Sequence, residues 1–313
     1  MLRALMVILF LALPFMALGQ DVVKINILEI AGKIPPPPAD VKDAYARTSV
    51  PKEDGTEGSR NANAYFKPVS DRLDAANQQI GKGIEYLSKP QLDAAKEMNS
   101  EEMQKKFKSM SQEERMKYAM EMSKKMGLGA HAMVRESDPV MAAQAECMKI
   151  TQEYSTDIQN ASAQYQSREK LESDREAKHR EIDQWKVQEE NKLPQVNYGE
   201  MSGPEPKAEY ALLTKVMEKH FAVERDYLKG IQKEWKAAWD KYQARFTPFE
   251  GKLETIHYGE DAKNPETRRQ LLNGQSLMLS STSDLVGLSR KATESAAQWW
   301  QRKLDLEKNK PQK

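Results

Sequence analysis

Methionine is the residue type whose numbers and spacing point first to chemistry. Ten of the sixteen methionines lie between residues 98 and 148. Met116, Met120 and Met126 share one side of a helix read over this stretch, and His131 follows closely. Thioether sulfur is a soft ligand that selects Cu(I), and imidazole suits copper as well. Thioethers are also adaptable apolar packing, and Met-rich grooves hold varied hydrophobic partners. Packing or a partner surface is the expected role, with Cu(I) binding as the alternative.

Two Glu-x-x-His pairs occur, Glu176/His179 and Glu254/His257. At this spacing both side chains share a helix face, and bundle di-iron sites use two such pairs with two further glutamates. A metal-dependent bundle enzyme is therefore a remote alternative, which requires His179 and His257 to converge. Arg175, Lys178 and Arg180 surround His179 with cations, and the segment reads as solvated.

Nucleophilic catalysis has little to draw on. Cys147 is the only cysteine and falls on an apolar helical stripe, where a thiol is ordinarily inert packing. His220, beside Phe221, reads as a structural histidine. No Gly-x-Ser-x-Gly elbow, phosphate-binding glycine loop or His-Glu-x-x-His motif is present. The expectation is a chain without catalytic residues or a bound cofactor. Trp299 and Trp300 are the remaining feature of note. Neighbours on a helix point about 100° apart, so one can close a core while the other meets a partner.

Three long helices must position these residues. Asp138-Pro139 starts the first, as an N-cap acid followed by proline at the first helical position. Residues 140–193 contain neither Gly nor Pro, and Pro194 ends the run. The second opens around Pro204 to Pro206, with its stripe on Leu213, Met217, Phe221, Leu228, Ile231, Trp235, Ala238, Tyr242 and Phe246. Pro248 reads as its break. Asn264-Pro265 opens the third, striped by Leu271, Met278, Leu285, Ala292, Ala296 and Trp299. No stripe can stay wet, so up-down-up packing is the simplest solution. It would gather Trp185, Tyr210, Leu213 and Trp299 or Trp300 at one tip.

Upstream, the alternation of Val23, Ile25 and Ile27 with Lys24 and Asn26 reads as one isolated strand. Four prolines at 35–38 form a stiff spacer, and residues 40–68 read as a polar linker. Helices begin near Ser70, and Ser111 with Glu114 has capping-box spacing. Ser111–Arg115, set among Met-rich helices, resembles a stretch of small helical periplasmic chaperones, over five residues only, and implies nothing for other positions.

The expected fold is all-α: an elongated antiparallel three-helix body with coiled-coil-like seams, shorter N-terminal helices and one isolated N-terminal strand. Residues 1–19 read as a signal peptide: Arg3, then an apolar run, then Ala17-Leu18-Gly19. Residues 20–68 are strand and linker, 69–134 short Met-rich helices, and 135–313 the long-helix body. Charged residues make up 30% and hydrophobic ones 39%, and mean hydropathy is −0.78, values that long, half-wet helices produce. A net charge of +1 with interspersed signs gives no footprint for nucleic acid. No stretch after residue 19 is apolar enough to span a bilayer. A lone cysteine allows no internal disulfide, which fits a bacterial periplasmic or secreted chain better than a secreted eukaryotic one. The functional expectation is an exported, non-enzymatic interaction, scaffold or chaperone-like protein of the cell envelope. It would bind a protein partner, and its seams would close within one chain or across a homo-oligomer.

Overall fold

A computed structural model describes residues 25–48, 60–99, 109–111, 114, 117–118, 139–199, 201–256 and 265–311. Among these, the side chains of 84–99, 158–166, 198, 201 and 265–266 lie outside the description. The protein is mostly helical. Its elements are α1 (Ile27–Ala31), α2 (Val41–Ala46), α3 (Asn63–Asn99), α4 (Pro139–Glu190), β1 (Gln195–Tyr198), β2 (Met201–Pro204), α5 (Pro206–Glu254) and α6 (Pro265–Lys308). The chain divides into two compact units, each drawing on segments of α3, α4, α5 and α6. The packing of helices within each unit is that of a bundle.

Unit 1 comprises residues 1–33, 71–156 and 242–282. Within it, α4 and α5 run in opposite senses. Lys252 donates to Glu146 at 2.8 Å and Arg245 to Glu153 at 3.2 Å, so positions fall along one helix as they rise along the other. Its buried residues include Val140, Ala143, Cys147 and Ile150 from α4, Phe246, Phe249 and Leu253 from α5, and Leu271 and Met278 from α6. Gly274 marks a close approach. A Cβ built there would lie 2.6 Å from Phe249 Cζ and 3.1 Å from Cys147 Sγ. A mid-helix glycine costs about 1 kcal/mol in helix propensity; here it makes room for a ring.

Unit 2 comprises residues 34–70, 157–241 and 283–313. Here α4 and α5 again run in opposite senses, with Ser167 donating to Glu234 at 3.0 Å and His179 meeting Glu224 at 2.7 Å. One apolar cluster joins Val41 and Ala44 of α2, Tyr227, Leu228 and Ile231 of α5, and Ala292, Ala296, Ala297 and Trp299 of α6.

Four expectations are corrected. The isolated N-terminal strand is absent at residues 27–31, which form α1; residues 22–24 lie outside the described residues. Asn26 caps this helix by accepting from Glu29 N at 2.7 Å. Burial of Ile27, Ile30 and Ala31 follows the helical spacing, and a three-step alternation is too short to compete with a cap and a buried face. Strands occur instead at Gln195–Tyr198 and Met201–Pro204, paired antiparallel across Gly199 at φ 72°. Glycine is the residue that adopts this left-handed value without strain.

Nor are residues 40–68 a linker throughout. Asp40 caps α2 through Lys42 N and Asp43 N, both at 2.8 Å. Tyr45 donates to Gln301 at 3.1 Å, and Gln232 holds the Pro38 carbonyl at 2.7 Å, so the proline spacer and α2 are docked. Helix α3 starts at Asn63, seven residues before the expected start near Ser70. Lastly, Pro248 does not break α5, which continues to Glu254. Buried Phe246, Phe249 and Leu253 straddle it, and their packing outweighs the lost backbone bond. The capping box at 111–114 forms as expected. Ser111 N donates to Glu114 at 2.8 Å, and Glu114 N to the Ser111 hydroxyl at 3.3 Å.

Candidate functional site

Among the described residues, a titratable cluster of direct contacts lies in unit 2. It is built from two polar series at helical spacing. Arg175, His179 and Asp183 succeed one another every four residues on α4, and His220 and Glu224 do so on α5, so each series shares a face. Opposed helices bring the faces together. His179 Nε2 lies 2.7 Å from Glu224 Oε1. His179 Nδ1 lies 2.7 Å from His220 Nδ1, and His220 Nε2 lies 3.3 Å from Asp183 Oδ1. Arg175 Nε donates to the same Glu224 oxygen at 2.7 Å. Helix α6 supplies the platform: Trp299 stacks on His179 with ring centroids 4.4 Å apart and on His220 at 4.3 Å.

Proton accounting follows from these contacts. Both carboxylates only accept, so each Nε2 carries a hydrogen. The central Nδ1···Nδ1 contact needs one hydrogen, on one side only. That makes three N–H hydrogens, where two neutral imidazoles carry two. The pair therefore shares one positive charge, flanked by Glu224 and Asp183, with Arg175 on the far side of Glu224. Charges alternate along the chain and sum to zero.

Burial enforces the arrangement. Glu224 is fully buried, and its Oε2 has no hydrogen-bond partner among the described residues. A buried carboxylate in that state depends on the cations against its other oxygen. His220 is buried too, and burial pushes its pKa down to about 4, helped by the cations of His179 and Arg302 and opposed by Asp183. His220 is thus the neutral member at pH 7, accepting through Nδ1. Burial beside Glu172 and Glu224 pushes Tyr227 up to about 12, against the pull of Arg175, whose guanidinium lies 4.7 Å from the Tyr227 ring centroid.

The chain of contacts can store and relay a proton. It does not present a metal with converging lone pairs. Two Zn–N bonds of about 2.0–2.1 Å at a tetrahedral angle put the nitrogens roughly 3.3 Å apart, against 2.7 Å here. No group of three or more His, Cys, Asp or Glu among the described residues is disposed to hold a metal ion. Of the remote di-iron set, His179 has both ring nitrogens engaged as above, and His257 lies outside the described residues. The copper candidates Met116, Met120, Met126 and His131 lie outside them too.

Trp299 is buried on the histidine pair. Trp300 is half-buried, stacked on Phe221 at 6.1 Å between centroids, with Lys303 4.5 Å and Lys42 5.9 Å from its ring centroid. The described ring partner of Trp185 is Lys219, at 4.6 Å.

Unit 1 holds a second buried acid. Glu250 is pushed up to about 7, by burial first and by Glu254 next, while the Ile27 N–H pulls the other way. A raised carboxyl pKa makes the folded state the better proton binder between about 4.5 and 7. Its stabilising contribution is complete below 4.5 and lost as pH rises through 7. Glu250→Gln, which removes the buried charge, should raise stability at pH 8 by about 2–3 kcal/mol and leave it unchanged at pH 4. Urea midpoints at the two pH values check this; equal effects at both would contradict it. Cys147, the other buried reactive group, donates to the Gln270 carbonyl at 2.8 Å, and burial raises its thiol. That is an inert environment.

No protein-family model, curated protein or solved structure matches the chain.

Proposed function

We propose that this chain is an exported, non-enzymatic helical interaction or scaffold protein of the cell envelope, chaperone-like in holding an apolar segment of a partner protein. Its body would be an antiparallel, up-down-up arrangement of three long helices. The observation that supports this reading is the outer face of α4. Val140, Ala143, Cys147 and Ile150 are buried, yet Met141 and Met148 are 39% and 64% exposed. Seven residues apart, these two stand on one side of the helix. They lie in the first turns of α4 and close the Met-rich stretch of sequence, and thioethers give a surface that repacks around different apolar partners. The titratable cluster of unit 2, by contrast, is occupied in joining helices to one another.

The test is recovery of envelope proteins on the full chain and on the double variant Met141→Glu/Met148→Glu, with light scattering on both. The reading expects a partner retained by the wild type and reduced at least ten-fold by the variant, at unchanged helical content. Equal recovery on both forms contradicts it. A wild-type dimer that the variant converts to monomer, with no partner retained, replaces it with self-association.

A further inference from the structure

We propose that the His179–His220 pair is a one-proton latch, which ties the helix segments of unit 2 together while it holds a single shared proton and releases them when a second proton enters. The imidazole centroids are 4.9 Å apart and the Nδ1 atoms 2.7 Å. A ring nitrogen lies about 1.1 Å from its centroid by standard imidazole geometry, and the two offsets plus the contact account for that separation. The two nitrogens therefore point at each other along the line of centres, and one hydrogen fits between them.

A second proton has one place to go. Both Nε2 atoms already donate to carboxylates, so on the imidazole pair it must add to His220 Nδ1, taking the lone pair that accepts from His179. Two N–H groups then oppose each other at hydrogen-bond distance, and two imidazolium charges lie side by side. The contact must open. Because both rings lie on Trp299, opening disturbs the tryptophan that also belongs to the apolar cluster of α2, α5 and α6.

The charges around the pair set where this happens. From α4 these are Arg175 and Asp183, with Glu172 near Tyr227. From α5 they are Glu224 and the Tyr227 hydroxyl. From α6 comes Arg302, 4.4 Å from the Trp299 ring centroid, and at the neighbouring Trp300 stand Lys303 and, from α2, Lys42. Asp183 favours the second proton and Arg302 opposes it. His220 is held below its ordinary value, so the unfolded chain binds more protons between about pH 4 and 6.5. The stability it contributes is whole above 6.5 and lost as pH falls through about 4.

The test is a titration of the full chain from pH 7.5 to 3.5, followed by the ring ¹⁵N signals of His220 and by near-ultraviolet circular dichroism. Two exposed variants accompany it, so that the fold is not at stake. In the wild type, His220 should take its second proton about two pH units below an ordinary histidine, together with the change in tryptophan ellipticity. Asp183→Asn should move that step to lower pH and Arg302→Gln to higher pH. A step with the same midpoint in all three proteins overturns the latch. So does a His220 that titrates at the ordinary value with the tryptophan signal unmoved.

Discussion

Replacing Glu224 by alanine should destabilise unit 2 by about 3–5 kcal/mol at pH 7, the range for removing one partner of a buried ion pair. The carboxylate is fully buried and accepts from both Arg175 and His179 at 2.7 Å. Without it, Arg175 loses its described anionic partner, and the proton shared by the imidazoles loses the nearer of its two anions. Those charges must then find water or be given up. Glu224→Gln keeps the shape and one acceptor oxygen but brings two amide donors towards Arg175 and His179, so an intermediate loss is expected. Chemical denaturation at pH 7 gives the answer, and a loss under 1 kcal/mol for the alanine variant would contradict the arrangement. Small losses are the rule for exposed pairs such as Lys33–Glu29, and a buried pair should behave differently.

The second large effect belongs to unit 1. Phe249→Ala should cost about 3–5 kcal/mol, through lost burial and the cavity left behind. Its ring is fully buried and fills the space that a side chain at position 274 would need. Gly274→Ala alone should cost about 1–3 kcal/mol, because a methyl 2.6 Å from Phe249 Cζ forces the ring aside. Combined, the two changes should be cheaper than their sum by about 1–2 kcal/mol, since the new methyl occupies emptied volume. Additive losses would show that ring and glycine do not share that space. The cycle also bears on Cys147, whose sulfur would lie 3.1 Å from the same methyl.

The long helices were legible because their signals are local and repeated. Asn264-Pro265 and the stripe from Leu271 to Trp299 announce α6, and the helix starts at Pro265 with that stripe buried. Weaker signals misled where a few residues carried them. Val23, Ile25 and Ile27 alternate as a strand would, yet the Asn26 cap and the helical spacing of Ile27, Ile30 and Ala31 prevail at 27–31. Pro248 carries a strong local penalty that says nothing about the buried phenylalanines on either side of it.

The polar chain was hidden for a different reason. Arg168 to Glu181 is dense in charge, and a charge run ordinarily marks a solvated face. Nothing in either helix alone shows that His179 and His220 meet. The usable signal was joint: Arg175, His179 and Asp183 at four-residue steps on one helix, His220 and Glu224 on the other. Sliding opposed helices past each other to pair those steps places basic against acidic at every level but one, and at that one places imidazole against imidazole. Glu176, one half of the apparent metal motif, instead pairs with Arg180 at 3.7 Å on the surface.

The His179–Glu224 contact joins α4 to α5 in unit 2, and a double-mutant cycle on folding stability at pH 7 measures that coupling most directly. His179→Ala, Glu224→Ala and the double variant should give a coupling of about 2 kcal/mol or more, the upper part of the range for residues in one network. Losses that add to within about 0.5 kcal/mol would mean that the two side chains stand close without holding their helices together.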